Sequence, residues 1–282
     1  MDVIWAIENW KERRDDVRRL VDSCMKLGIS YFTFPPHQIN YEYDILLEHD
    51  KEECVVFFGS IRAARIFRKE KPWIPGAYFT EGHYDCTYYF PRLGELALNS
   101  GNCIMLPYGS LLRQQRWLFN VIGRDSTVFI RPNRGIKEFT GALVREENFV
   151  HDVDLMGFHA LYPESLVVIS IPFDIEREWR FVVVGQDVVT GSLYKENGKI
   201  NYQREYPPEA LEVANEAARR LQPDIVWVCD VCETKQGKFK VLEIGSLSCC
   251  GLYACDTDIV VEYVSQAAWK EFEEINETST NS

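Results

Sequence analysis

Two apolar runs, Ile225 to Glu233 and Phe239 to Gly245, flank Gln236-Gly237 and read as an antiparallel hairpin. A turn centred there, with either a two-residue or a four-residue loop, sets Thr234 opposite Phe239, Cys232 opposite Val241 and Asp230 opposite Glu243. Strand alternation gathers Val226, Val228, Asp230 and Cys232 on one face, with Val241 and Glu243 beside them. Carboxylates opposed in this way have Cβ atoms roughly 5 Å apart and repel each other. A divalent cation between them is one way to offset the repulsion. Mg2+ suits such a pair, because it completes its shell with phosphates and waters. The alternatives are a solvated face or a Lys or Arg bonded to one acid, and the apolar neighbours on both strands disfavour full solvation.

Upstream, strands and helices alternate. Val3 to Ile7 is a short apolar strand, and Trp10 to Leu27 a helix with Val17, Leu20, Cys24 and Leu27 at helical spacing. Strands follow at Tyr31 to Phe34 and Cys54 to Phe58, then a helix from Gly59-Ser60 through about Arg68. This rhythm predicts a small, mostly parallel sheet. Residues 71–107, rich in Pro, Gly and aromatics, resist assignment. Further strands are expected at Thr127 to Arg131, Leu166 to Ile171, Trp179 to Val184 and Val188 to Tyr194. A helix starts at Pro207 with Leu211, Ala214, Ala218 and Leu221 on one face, and another runs from about Asp258 to Ile275. The aromatics Tyr78, Phe79, Tyr84, Tyr88, Tyr89 and Phe90 suit a pocket, a partner surface or, most commonly, packing.

Bulk properties remove several function classes. A net charge of −12 argues against nucleic-acid binding through phosphate contacts. No apolar run is long enough to cross a bilayer, and MDVIWAIEN lacks the layout of a secretion signal, so the expected location is cytoplasmic. The nine cysteines form no regular framework. Cys229 and Cys232 lie in a strand and point to opposite faces, which makes a shared metal difficult. Reduced thiols are the expectation. His37, His49, His83, His151 and His159 have no metal-like spacing.

Two further clusters carry chemistry. In FIRPNRGIKEFTG a strand delivers Arg131, and a Pro-Asn-Arg-Gly loop leads to Lys137. Basic side chains with exposed backbone N–H groups suit a triphosphate, although such residues are more often simply solvated. In VVISIPFDIEREWRFVVVG, the apolar strand ending at Ser170-Ile171-Pro172 offers backbone groups to an adenine edge. Glu178 and Arg180 then share a face, which fits an internal salt bridge equally well.

Taken in this order, from about Phe129 to Tyr253, the clusters resemble the ATP-grasp superfamily. Within it they are most similar to the divergent clade that includes the eukaryotic cell-division-cycle chaperone for initiation-factor assembly and bacterial and phage members. RPNRGIKEFTG, the Glu-Trp-Arg triplet, and Asp230 with LEIGS followed by GLY carry the resemblance. It implies an α+β ATP-grasp fold of two lobes with ATP between them, after a small α/β pre-ATP-grasp domain. The spans would be 1–120, 121–276 and a disordered tail, 277–282. It further implies that Arg131 and Lys137 contact phosphates, that Ser170, Ile171 and Pro172 form the adenine hinge, and that Glu178 and Arg180 match an E-x-R motif. Arg180 and Lys137 would be the catalytic cations, and Asp230 and Glu243 the Mg2+ ligands. The chain departs from the family at Gly245, where Asn is usual, so a second metal has one ligand fewer.

The activity implied is an ATP-dependent carboxylate–amine ligase that forms an amide or peptide bond through an acylphosphate, acting on a small-molecule, peptide or protein acceptor. The alternative is a non-catalytic ATP-binding assembly factor that binds a protein partner. Neither reading involves nucleic acid or membrane.

Overall fold

The computed structural model describes residues 1–10, 14–36, 53–70, 73–136, 138–157 and 161–280. Lys137, His37, His49 and His159 lie outside the described residues. Three sheets organise the described residues.

The first sheet contains β1 (Val3–Glu8), β2 (Ser30–Phe34), β3 (Cys54–Phe58) and β4 (Ile74–Gly76), in the order β2-β1-β3-β4 and all parallel. Every residue of β3 is buried, as expected of a parallel strand covered on both faces. Val55 and Phe57 pack with Ala63, Ala64 and Phe67 of α2 (Ile61–Glu70). Cys54, Val56 and Phe58 pack on the other side with Val17, Leu20 and Cys24 of α1 (Arg14–Leu27) and with the terminal helix. The parallel sheet read from the sequence is therefore present. The aromatic stretch after β4 turns out to be mainly core, because Tyr78, Phe79, Tyr84, Tyr89 and Phe90 are all buried. Tyr89 and Phe90 belong to α3 (Cys86–Leu93), which the sequence left unassigned.

The second sheet is antiparallel. It orders β5 (Cys103–Pro107), β6 (Thr127–Pro132), β7 (Ala142–Arg145) and β8 (Leu166–Ser170) as β5-β8-β6-β7. Helices α4 (Leu111–Val121) and α5 (Phe149–Gly157) cover one face, where Leu118, Phe119, Phe149 and Val153 meet Val128, Ile130 and Ile169. β5 and most of α4 come from within the span 1–120, yet they pair and pack in this lobe. The structure thus places those residues in the same lobe as β6 and β8. β5 was missed because its five residues carry no period-two contrast and sit between loops.

The third sheet is also antiparallel and has the order β11-β10-β9-β12-β13. It is built from β9 (Ile175–Val184), β10 (Asp187–Glu196), β11 (Lys199–Gln203), β12 (Val226–Thr234) and β13 (Phe239–Ser246). On one face α6 (Pro208–Arg220) sets Ala210, Ala214, Ala217 and Ala218 against Phe181, Trp227, Cys229 and Val231. On the other, α7 (Thr257–Thr280) sets Val260, Val261 and Val264 against Val182, Val226 and Val228. α7 also covers the first sheet, so one helix joins the two layers. It continues through Thr280, where the sequence predicts a tail from 277. Thr278 Oγ1 donates back to the carbonyls of Glu274 and Ile275 (2.9 and 2.8 Å), which keeps that turn helical.

The β12–β13 hairpin holds the main surprise. Its loop has neither two nor four residues: Glu233 faces Phe239, and Thr234 N donates to Lys238 O at 3.0 Å. Gly237 adopts φ 70°, the left-handed conformation that a three-residue hairpin loop requires. The ladder is therefore one residue out of the expected register near the turn, with Val231 rather than Cys232 opposite Val241. A β-bulge then inserts Leu242, and beyond it Asp230 faces Glu243 as the alternation predicts.

Candidate active site

β12 is central in the third sheet, so Asp230 has a neighbour on each side: Arg180 of β9 and Glu243 of β13. Arg180 grips Asp230 with both arms of its fork. Nε donates to Oδ1 at 2.8 Å and Nη2 to Oδ2 at 2.7 Å, with side chains only 7% and 2% exposed. Its remaining nitrogen, Nη1, donates to the carbonyl of Gly251 at 2.9 Å. Burial opposes the charge on Arg180, but the Asp230 carboxylate overrides it and holds the guanidinium proton more tightly than usual. The ring of Tyr253 lies 4.8 Å from the guanidinium carbon, and Tyr194 and Tyr202 stack on Tyr253 at 4.8 and 5.2 Å. Burial first, then the nearby acids, push the Tyr253 hydroxyl up to about 12 against the pull of Arg180.

Glu243 meets an arginine from the opposite lobe. Arg131, near the end of β6, donates from Nη2 to Glu243 Oε2 at 3.0 Å, with Nη1 at 3.5 Å from the carbonyl of Leu242. Desolvation works against the Arg131 charge, yet Tyr89, Cys86 and Glu243 together raise its proton affinity above the ordinary value. One ion pair thus bridges the second and third sheets, at the place where a ligand between lobes would lie.

Around these groups is a cleft of about 710 Å3, within the usual range for a ligand site. The second sheet supplies Arg131, followed by Arg134 and Gly135; the third supplies Arg180, Val228, Glu243 and Gly245. Cys249 to Gly251 and Tyr253 come from the loop after β13. α1 adds Arg14, Arg18 and Arg19, the edge strand β11 adds Tyr202, and Phe79 and Tyr84 complete the wall. Arg19 donates to the carbonyls of Tyr253 and Cys255, and Asp16 accepts from Leu252 N at 3.1 Å, which ties α1 to that loop. Outside the cleft lining, Gly59 N donates to Ser248 O at 2.8 Å, and Ser60 N donates to the buried carboxylate of Glu8 at 2.6 Å. No space exists for a side chain at Gly59, whose Cβ would fall 2.5 Å from that of Glu8.

A family model of the ATP-grasp domain, the second family of its clade, matches residues 115–263, just over half of the chain. The chain belongs to the ATP-grasp superfamily. Solved structures of the same fold include the D-alanine–D-alanine ligase of Bacillus anthracis, with 12% identity, TM-score 0.63 and coverage of 97% of this chain and 99% of that one. D-cycloserine synthetase DcsG is similar at 13% identity and TM-score 0.62, covering 98% and 99%. The ATP-grasp ligase PsnB, solved with a minimal precursor, gives 10% and 0.54 over 89% and 91%. No curated protein matches the sequence.

In this ATP-grasp protein the α+β fold expected from the sequence is present. Of the residues singled out beforehand, Arg131, Arg180 and Glu243 line one cleft. Asp230 sits behind Arg180 and does not line it. Ser170, Ile171, Pro172 and Glu178 are elsewhere. Ser170 ends β8 fully buried, with no hydrogen-bond partner for its hydroxyl among the described residues. Glu178 accepts from Tyr194 (2.6 Å) and pairs with Lys195 (3.0 Å), so it is not the partner of Arg180. Arg14, Arg18, Arg19, Arg134, Tyr202 and Tyr253 were not foreseen. The i, i+4 spacing of Arg14 and Arg18 was the available signal for two of them. All nine cysteines are free, and burial pushes the Cys232 and Cys255 thiols up to about 12, far from a reactive thiolate.

A Mg2+ in this cleft would meet Glu243 directly, with Asp230 as the acid beside it. Arg180 holds both Asp230 oxygens, so that carboxylate meets the guanidinium and not the cleft, whereas the adjacent Glu243 lines the cleft. Among the described residues no group of three or more acids, histidines or cysteines can hold a metal alone, so phosphates and waters would complete its shell. No helix among the described residues is long and apolar enough to cross a membrane.

Proposed function

We propose that this protein is an ATP-dependent carboxylate–amine ligase forming an amide or peptide bond through an acylphosphate. Arg131 meeting Glu243 across the cleft between two ATP-grasp sheets carries this reading, because it sets a cation and an acid at one point between the lobes. Arg131, which lines the cleft, binds the triphosphate together with Lys137 from the same segment. Glu243 would hold one Mg2+, with Asp230 as the adjacent acid, and the ion when bound would neutralise phosphate charge. Arg180 fixes Asp230 and the Gly251 carbonyl, keeping the loop that closes the acceptor side in place.

In the first half-reaction a substrate carboxylate oxygen attacks the γ-phosphorus as the bond to the β-phosphate oxygen breaks, and ADP leaves. An amine nitrogen then attacks the acyl carbon, the acyl–oxygen bond breaks, phosphate departs and the ammonium proton passes to solvent. The chain contributes position and charge rather than a nucleophile. In keeping with that role, its buried thiols are held in the protonated form. The D-alanine–D-alanine ligase and the ATP-grasp ligase PsnB among the structural neighbours support the reaction class.

A specific observation favours a second reading, a non-catalytic ATP-dependent assembly factor. Gly245 occupies the usual third-ligand position, and both acids are already paired with arginine. ADP release that depends on carboxylate and amine together supports the ligase. Mg-ATP binding without turnover on any amine supports the assembly factor. Either reading requires Mg-ATP to stabilise the fold, by about 2.7 kcal/mol at a hundred times its Kd. A thermal-shift series with no such gain would remove both.

A further inference from the structure

We propose that the carboxylate substrate is a polycarboxylate, bearing at least one negative charge beyond the group that is activated, and that Arg14 and Arg18 bind this extra charge. The proposal rests on the ligase reading and names its substrate class. The cleft lining contains six arginines against Asp15, Asp16 and Glu243, a local excess of positive charge in a chain whose net charge is −12. Most of those arginines already have internal work. Arg180 holds Asp230, Arg131 meets Glu243, Arg19 braces two loop carbonyls, and Arg134 bonds Glu81 at 2.5 Å.

Arg14 and Arg18 differ. Among the described residues Arg14 has no ion-pair partner. Among the described residues Arg18 reaches only Asp15, at 3.4 Å, with side chains 67% and 89% exposed, a solvent-screened contact of little value. They stand four residues apart on α1, a spacing at which like charges repel. Among the described residues only the exposed Asp15 contact offsets that repulsion, and the side of α1 that bears both arginines opens onto the cleft shared with Glu243 and Arg180. An anion does offset it. Guanidinium forks match carboxylates closely, and two forks one helical turn apart suit a second carboxylate held away from the reacting one. The source is either a free di- or tricarboxylic acid or a peptide with neighbouring acidic side chains.

Calorimetric titration of the full chain with acetate, citrate and tetraglutamate, with and without a non-hydrolysable Mg-ATP analogue, tests this directly. Citrate or tetraglutamate is expected to bind at least about tenfold more tightly than acetate, and to weaken as salt rises from roughly 0.05 to roughly 0.5 M. The Arg14→Gln/Arg18→Gln double variant is expected to lose about tenfold for the polyanion while its affinity for the ATP analogue is unchanged. Preference for tetraglutamate identifies a peptide, and preference for citrate a small acid. Equal binding of acetate, or a double variant that binds polyanions as tightly as the parent, overturns the proposal. Polyanion binding through Arg14 and Arg18 in a chain that ignores the ATP analogue would instead keep this site and remove the ligase reading.

Discussion

Arg180→Met is the most informative single perturbation, because it keeps the stem and removes the fork. It deletes two charge-assisted bonds of 2.8 and 2.7 Å to Asp230 and one of 2.9 Å to Gly251 O. With only 7% and 2% of the two side chains exposed, solvent cannot rescue the orphaned carboxylate, so the small values typical of surface pairs do not apply. Removing one partner of a buried pair costs about 3–5 kcal/mol, a large part of the roughly 5–15 kcal/mol total stability of a domain. Most of that cost is the stranded charge rather than the lost attraction. The double variant Arg180→Met/Asp230→Leu should therefore recover most of it, and mild acid, which protonates the stranded carboxylate, should recover part of it in the single variant. Urea unfolding followed by tryptophan fluorescence reads both through the midpoint at constant slope. A loss below about 1 kcal/mol for the single variant, or a double variant as damaged as the sum of the singles, would refute the reasoning.

Other outcomes follow from the same geometry. Arg131→Met should cost only about 1 kcal/mol of stability, since its pair with Glu243 is 17% and 23% exposed, yet weaken ATP binding about tenfold or more in calorimetry. Glu243→Gln should leave ATP binding in chelator nearly unchanged while abolishing the gain that Mg2+ brings. Gly245→Asn adds a Cβ 3.3 Å from Val228 Cγ2, a contact that slight movement accommodates, so a loss within about 1 kcal/mol is expected together with tighter Mg2+-dependent nucleotide binding. Burial raises the Glu271 carboxyl above its ordinary range, so the native state holds its proton at pH values where the unfolded chain has lost it. Stability from this group therefore falls as pH rises through the unfolded value, and Glu271→Gln should raise Tm at pH 7 with the gap closing by about pH 4.

Strands with strong alternation or continuous burial, β3, β9 and β12 among them, were legible because burial and period coincide in their sequences. In the lobe of the second sheet β6 and β8 were legible, but β5, β7, α4 and α5 were not. α4 carries exposed Leu112, Trp117 and Val121, which blur its amphipathic stripe, and β5 has no polar face to alternate with. At the site, Asp230 and Glu243 were found together, and Arg131 was expected nearby as a phosphate ligand. A hairpin argument can give neighbours along one ribbon, whereas the salt bridges joining Arg180 to Asp230 and Arg131 to Glu243 depend on β9 and on the other lobe. The α1 contribution was invisible for the same reason. Arg19 meets Tyr253 and Cys255 across more than two hundred residues, a contact made only by the packing of the first sheet against the third.

Leu242 gives the acidic pair a kind of slack. The distal hairpin carries one residue more than a continuous ladder from its three-residue loop needs, and that spare unit sits directly below Glu243. Losing Leu242, or moving the surplus up into the turn, would leave Asp230 and Glu243 still side by side and change only the local coil of the ribbon. Relatives of this chain can therefore vary the hairpin tip by one position without dislodging either acid, and gaps there in a comparison of sequences carry no message about the chemistry below.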